Sequence, residues 1–404
     1  MKRKRIVVTG LGVVSSVGIG WRAFWSALLE GCSGIRPIRY LDTSEYPTHY
    51  GGEVIEFDPL QFMLASIAKR LGRGSQFALA ATKMALEDAQ LLSNVQRLQT
   101  GVCLGTTMAD IQALESINQA WVLSGERRIP ASLVTKYPSY NMSANISRHF
   151  DFTGPSLMIP TACAAGNYSI SYALDLIRAG RAEVMIAGGV DPFSRIAFTG
   201  FNRIFAVAPE RCQPFDKNRQ GILIGEGAGI LVLESLEAAL ERGAPIYAEV
   251  LGYGLSCDGN HMTIPSVDGV TRVMNSALLD AGITPKDVDY ISAHGTGTRA
   301  NDRTECAAIR TVFGSRAGHI PVSSIKSMIG HTMGAASALE AIACVLAVRY
   351  DRLPPTINFE TPDPECNVDC VPNTSRQHRV KAALNNSFAF GGNNACVAVS
   401  KYNN

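Results

Sequence analysis

Four short segments carry side chains able to do covalent or acid–base chemistry. In IPTACAAGNYSISYALDLIRAG, Cys163 is flanked by Ala162, Ala164, Ala165 and Gly166, and an amphipathic run follows directly. Pro160 and the small residues predict a turn that delivers the cysteine to a helix start. There, unpaired backbone N–H groups and the macrodipole favour thiolate. A lone cysteine ahead of a helix is otherwise a structural residue. In DYISAHGTGT a strand leads His294 into a loop of Gly295, Thr296, Gly297 and Thr298, where the backbone can approach a ligand closely. Core packing is the competing reading for that histidine. In VSSIKSMIGHTMGAASALEAIACVLAV, Lys326 and His331 share one loop that feeds a helix of small residues. Glu340 lies off the His331 face by helical periodicity, yet within reach of Lys326 across the loop. A buried lysine needs a partner, so a Lys326–Glu340 ion pair is expected. In NNSFAFGGNN, Phe388 and Phe390 are too apolar for a surface turn. They cap an apolar tunnel or supply a backbone N–H beside the sulfur. A cysteine nucleophile with two neutral imidazoles suits transthioesterification followed by stabilisation of a thioester enolate.

The surrounding elements alternate. RIVVTG, VCLGTT, EVMIAGG and GILVLES are short, β-branched and bounded by glycine, whereas FALAATKMALEDAQ, YSISYALDLIRAG and RVMNSALLDAG place apolar residues at helical spacing. Such alternation predicts α/β layers around largely buried sheets. The order strand, helix, strand, chemistry-bearing loop, closing strands occurs once before about Gly243–Pro245 and again after it, hinting at duplicated halves, 1–244 and 245–404. GLGVVS at 10–15 lacks the third glycine of a dinucleotide fingerprint and reads as a tight strand-to-loop turn. Walker-loop, HExxH and GxSxG patterns are absent from the sequence.

Bulk properties narrow the class. The 404 residues are 46% hydrophobic and 18% charged with a formal charge of +2, so the molecule as a whole is no electrostatic match for nucleic acid. The ten cysteines form no CxxC pair, and most sit in apolar runs, so reduced thiols are expected rather than disulfides or a metal site. The basic start MKRKR precedes an IVV run broken by Thr9 and glycines, which reads as a buried first strand rather than a leader. No stretch approaches 18 uninterrupted apolar residues, so no membrane span and a cytoplasmic location are expected.

Taken together, TACAAG around Cys163, AHGTGT at His294, IKSMIGHTMGAAS at Lys326 and His331, and SFAFGG at Phe390 resemble the β-ketoacyl synthase family of the thiolase superfamily, from VVTGLG to NNSFAFGG. The resemblance implies an α/β, thiolase-like five-layer αβαβα body of two similar halves, working as a homodimer or beside a related chain-length-factor subunit. It implies that Cys163 accepts an acyl chain from acyl carrier protein. His294 and His331 would then assist decarboxylation of malonyl carrier protein, giving a 3-oxoacyl carrier protein and CO2 by Claisen condensation. Lys326 and Glu340 would organise the site, and the N–H groups of Cys163 and Phe390 would form an oxyanion hole, with Phe390 also a gate. No cofactor or metal is implied. Thr296, Thr298 and Phe388 would touch substrate, Met108 would project into the acyl pocket, and Lys69, Arg70, Arg127 and Arg128 would dock the carrier.

The motifs do not separate an elongating type II fatty-acid synthase from a discrete polyketide ketosynthase. FAFGGNN stands where the family commonly has FGFGGTN, which puts the hinge at Ala389 and the role of Asn393 in question. Rival readings are a CoA-dependent thiolase, which resembles Cys–His–Cys or Cys–His–Asn sites, a non-catalytic chain-length factor, which generally lacks the nucleophile, and a cysteine hydrolase.

Overall fold

A computed structural model describes residues 3–93, 99–125 and 129–402. The first half supplies strands β1 (Ile6–Ser15), β2 (Thr100–Gly105), β3 (Ser156–Ile159), β4 (Val184–Asp191) and β5 (Gly227–Ser235). The second supplies β6 (Ala248–Cys257), β7 (Tyr290–Ser292), β8 (Val322–Ser323), β9 (Ala382–Phe388) and β10 (Asn393–Ser400). Their order across the sheet is β3-β2-β4-β5-β1-β6-β10-β9-β7-β8.

Each half repeats one motif. In the first, β1 pairs antiparallel with β5 and β5 with β4, then β4–β2 and β2–β3 run parallel. In the second, β6 pairs antiparallel with β10 and β10 with β9, then β9–β7 and β7–β8 run parallel. Antiparallel pairing of β1 with β6, through Ile6–Val250, Val7–Glu249 and Val8–Ala248, joins the two motifs. The duplication hinted at in the sequence is therefore explicit in strand order and direction.

Helices complete five layers. The outer faces are covered by α1 (Arg73–Asp88), against β1 and β5, and by α3 (Val267–Ala281), against β6 and β10. Between the half-sheets lie α2 (Ala165–Arg178) and α4 (Ala336–Tyr350), each touching strands of both halves. A helix with a sheet on either side has no solvent face to keep polar, and every residue from Ala336 to Val348 is buried. Residues 333–350 are long and apolar enough by length and average composition to cross a bilayer, although Ser337, Glu340 and Arg349 interrupt the apolar run, as the sequence reading has it. That segment is 89% buried inside the protein and serves as its central core helix.

GLGVVS is not a turn. Residues 10–15 continue β1, with a bulge between Val8 and Gly10. Its glycines answer to packing instead: a Cβ at Gly10 would stand 2.2 Å from the Ala85 carbonyl oxygen of α1, and one at Gly12 1.8 Å from that of Ala81. The central layer is as tight. A Cβ on Gly105 would lie 2.2 Å from the Ala165 carbonyl carbon, and one on Gly166 2.7 Å from the Ala338 nitrogen.

Gly105→Ala should therefore push the start of α2 away from β2. The expected cost is about 1–3 kcal/mol, as for other overpacked cores. Urea unfolding should show a lower midpoint at unchanged slope, and the rate at which a small electrophile alkylates Cys163 should change with it.

Candidate active site

The nucleophile candidate sits on a strained turn. Cys163 lies in a single 3-10 turn, Ala162–Ala164, that runs straight into α2, and Ala162 takes a left-handed φ of +50°. The second half builds the same turn: Met333–Ala335 runs into α4, with Met333 at φ +53°. Cys163 thus corresponds to Gly334, where a Cβ would stand 2.6 Å from the Thr106 carbonyl carbon. Only the first half has room for a side chain. The Cys163 carbonyl accepts a hydrogen bond from Ser387 Oγ at 2.9 Å, which ties the turn to β9.

The expectation that the helix start favours thiolate fails against burial. The Cys163 thiol is 6% exposed, and loss of water pushes it up to about 12. Lys326 pulls it down, while Asp191 and Glu340 push it further up. The free site therefore holds a thiol.

Both histidines share the Cys163 pocket. Their ring centroids are 5.6 Å apart in an edge-to-face arrangement. Nδ1 of His331 accepts from the Met333 backbone N–H at 3.1 Å, so a neutral ring carries its proton on Nε2. Nδ1 of His294 faces Lys326 Nζ at 3.4 Å, and Lys326 also donates to the His294 carbonyl at 2.7 Å. Lys326 is bonded to Glu340 as well, so the ion pair expected from the sequence forms, with both side chains 1% exposed. Lys326 opens a one-turn helix, Lys326–Ile329, rather than lying in plain loop. Burial holds both imidazoles well below their ordinary 6.5, and Lys326 adds to the effect. Two neutral rings with Nε2–H donors are the form that can stabilise a developing enolate oxygen.

Sequence reasoning missed the residues that brace this set. Glu305 accepts from the backbone N–H groups of His294 and Gly295 at 3.0 and 2.9 Å, and from Asn386 Nδ2 at 3.2 Å. Asp302 accepts from the Gly297 N–H at 3.2 Å and pairs with buried Arg219, which also bonds Asp363. Asp191 accepts from Thr106, Thr107 and Met108 of the first half and from the Gly334 N–H of the second. The available signal was polar residues inside otherwise apolar elements, as in ALNNSF and ECAAIR.

The pocket encloses about 580 Å³, including its mouth. Thr296 and Thr298 line it, their hydroxyls 2.9 Å apart, and Phe388 packs edge-on against His294 at 5.6 Å. Phe390 stacks on Phe201, unforeseen from sequence, with centroids 5.3 Å apart. Ala389 is extended (φ −120°, ψ 156°), a conformation open to any residue, while Gly391 and Gly392 hold φ of +81° and +78°. Alanine therefore fits the observed loop without strain. Asn393 opens β10, opposite Cys257.

Other expected residues stand apart. Met108 is not on the pocket wall. It packs on the apolar cluster that includes Ile222, Phe198 and Met333, of which Ile222 does face the pocket. Lys69 and Arg70 are exposed after a short helix, Ala65–Ala68, away from the pocket lining. Arg127 and Arg128 lie outside the described residues.

These environments set the pH behaviour. The unfolded chain protonates its histidines near pH 6.5 and the folded site does not, so their contribution to stability is present above that value and is lost as pH falls below it. Burial raises Glu305 and Glu340 to about 7, so their contribution is complete below 4.5 and is lost as pH rises through about 7. NMR of the two rings should show neutral Nε2–H imidazoles still at about pH 6, and a ring titrating near 6.5 would contradict the burial argument. Lys326→Ala should cost about 3–5 kcal/mol in urea unfolding, because Glu340 is left buried without its cation.

Comparison with known proteins agrees with this geometry. Residues 3–239 match the profile of the β-ketoacyl synthase N-terminal domain, and residues 247–360 that of its C-terminal domain. The chain is 41% identical over 412 residues to 3-oxoacyl-[acyl-carrier-protein] synthase 2 of Synechocystis sp., covering 100% of this chain and 99% of that one. The enzyme of the same name from Coxiella burnetii is 40% identical over 411 residues, covering 99% of each. Among solved structures, the ishigamide ketosynthase/chain length factor superposes with a TM-score of 0.96 at 44% identity, covering 99% of this chain and 100% of that one. A type II polyketide acyl-carrier protein in complex with its ketosynthase gives 0.92 at 33%, with the same coverage. This chain belongs to the β-ketoacyl synthase family.

Proposed function

We propose that the protein is a condensing acyltransferase that extends a carrier-bound acyl group by decarboxylative Claisen condensation. The observation that carries the reading is the meeting of one thiol and two neutral Nε2–H imidazoles in a single apolar pocket. Cys163 attacks the acyl thioester, its proton passes to the departing carrier thiolate, and the acyl group rests on sulfur. Malonyl carrier then enters and loses CO2. The electron pair left at C2 is shared with the thioester oxygen, which the Nε2–H groups of His294 and His331 receive. C2 attacks the Cys163-bound carbonyl, the backbone N–H groups of Cys163 and Phe390 hold the oxyanion, and the sulfur leaves as a thiolate when 3-oxoacyl carrier forms, taking up one proton from solvent to restore the thiol. Lys326, bonded to Glu340, the His294 carbonyl and Nδ1, orients the ring rather than reacting. Thr296 and Thr298 lie where a thioester arm would pass. Met108 backs the wall behind Ile222, so it would influence chain length indirectly.

A thiolase is less well supported, because Cys163 is the one cysteine among the described residues lining the pocket. Pairing with a second subunit is part of the proposal. β3 ends the sheet with Ser156 and Leu157 exposed, and Trp121, Val122 and Leu123 are 56%, 80% and 74% exposed at the end of helix Ile111–Ser124. A related synthase or chain-length factor is as suited to that edge as a second copy, and the ketosynthase/chain length factor relative favours considering it. The carrier's acidic body would meet cations, for which Lys69, Arg70, Arg127 and Arg128 are candidates.

Incubation with acyl and malonyl carrier proteins, followed by intact mass spectrometry, separates condensation from hydrolysis and from mere binding. Cys163→Ala should keep the fold and lose acyl transfer, and normal elongation by that variant would sink the assignment. His294→Ala and His331→Ala should slow decarboxylation by about 10²–10³ each while sparing acylation of Cys163. Equal loss in both half-reactions would contradict the enolate role.

A further inference from the structure

One buried carboxylate takes no part in the condensation chemistry and forms no ion pair among the described residues. Glu115, 7% exposed, stands on the helix Ile111–Ser124 and is bonded by three neutral donors. Its Oε1 accepts from Ser194 Oγ at 2.9 Å and from the Ile196 N–H at 3.0 Å, and its Oε2 from the Tyr40 hydroxyl at 2.8 Å. A carboxylate this dry is costly unless its neighbours hold still to bond it, so it fixes its donors as they fix it. Two of the three open the helix Arg195–Arg203. Ser194 caps that helix by accepting from the Ala197 N–H at 3.1 Å, and a carboxylate at that end suits the helix dipole. One turn before Glu115, on the same face, Gln112 donates to the Phe193 carbonyl at 2.8 Å. Residues 193–196 are thus held to Ile111–Ser124 by side chains three apart. The other end of Arg195–Arg203 reaches the reaction pocket. Phe201 lines it, stacks on Phe390 at 5.3 Å and lies 6.5 Å from the His331 ring. Only about 7.5 Å of stiff helix separates Ile196 from Phe201, so a shift at the first turn is carried to that ring.

We propose that Glu115 is a positioning residue for acyl binding. By anchoring the start of Arg195–Arg203 it sets where Phe201 meets Phe390, and so how well the pocket receives a long acyl chain beside Cys163. The inference rests on the proposed function only in taking Cys163 as the atom that accepts the acyl group. A residue that merely filled space at this position would be apolar, since a leucine packs there without three bonds to satisfy. The carboxylate instead reaches two elements at once, the loop bearing Tyr40 and the helix bearing Phe201.

Alkylation of Cys163 by N-ethyl and N-octyl iodoacetamide, read by mass spectrometry of the Cys163 peptide, tests this without carrier or condensation. Wild-type protein should favour the octyl reagent. Glu115→Leu should lower the octyl-to-ethyl rate ratio roughly tenfold, the burial of about two methylene groups, with the ethyl rate within about twofold. Glu115→Gln should restore the ratio, because its amide oxygen still accepts from Ser194 and Ile196 while the Tyr40 hydroxyl turns to accept from the amide N–H. Ser194→Ala, a smaller change should Glu115→Leu fail to fold, should lower the ratio about threefold through loss of the cap. An unchanged ratio in these variants overturns the proposal. So does an equal loss with both reagents, which marks a merely structural residue, or a glutamine variant that fails to rescue, which makes charge rather than anchorage decisive. Absence of octyl preference in the wild type overturns it as well. The two readings fail separately: an octyl preference that follows Glu115, in a protein giving no 3-oxoacyl product, would overturn condensation and leave the positioning role standing.

Discussion

Everything at the site depends on how closely α2 and α4 approach. Backbone nearly meets backbone at Gly166 and Ala338, where even a methyl group would stand 2.7 Å from the Ala338 nitrogen. The seam is dry but not featureless. Ser337 Oγ accepts the Asn167 N–H at 3.0 Å, and Asn385 Nδ2 donates to Asn167 Oδ1 at 2.8 Å and to the Ser337 carbonyl at 2.9 Å. Buried amides bonded in this way are costly to shift, since any slip strands polar groups away from water. Each helix begins with the same strained turn, so locking the helices together also locks the two turns into one pocket. Cys163 arrives from one half, while His331 comes from the loop that leads into the other.

That dryness also sets the electrostatics. The same loss of water that raises the Cys163 thiol keeps both imidazoles neutral and raises Glu305 and Glu340, with Lys326 pulling Glu340 back down. A thiol at rest is compatible with transthioesterification, because the proton has somewhere to go once the carrier's sulfur departs. Neutral imidazoles are required for decarboxylation, since an imidazolium would hand its proton to the carbanion and quench it. An apolar wall of Phe201, Phe388 and Phe390 excludes the water that would do the same. On the proposed mechanism, burial thus favours carbon–carbon bond formation over hydrolysis at this site.

Much of this was legible in the sequence, for identifiable reasons. Cys163, His294, Lys326 and His331 each sit where an apolar element gives way to Gly, Ala and Thr, and such breaks mark strand ends and helix starts. The duplicated order of strands could be read as well, because each half repeats the same alternation of periods. The Lys326–Glu340 pair followed from the cost of burying a lysine. What stayed hidden depends on three-dimensional neighbours. Gly10 and Gly12 looked like turn glycines because the crossing of α1 leaves no local mark. The thiolate expectation weighed a helix end, which is local, against burial, which is not. Glu305, Asp191 and Arg219 act by bridging segments far apart in the chain, and no periodicity announces that. The pocket role of Met108 came from the family resemblance; a short turn pinned by Asp191 directs its side chain to the cluster that includes Ile222.

The near-symmetry of the halves sharpens the question of why chemistry occurs once. Two equivalent turns would present two equivalent nucleophile positions, one at Cys163 and one at Gly334. Glycine at the second is not merely a missing side chain. Its N–H donates to Asp191, which in turn holds Thr106, Thr107 and Met108, and its absent Cβ is what lets the Thr106 backbone approach. Restoring a side chain there would push apart the contact that seats the second half against the first. The duplicated turn therefore serves assembly in one half and, on the proposed mechanism, carries the nucleophile in the other. A fold with two possible reaction centres thereby concentrates its donors, His294 and His331, around a single sulfur.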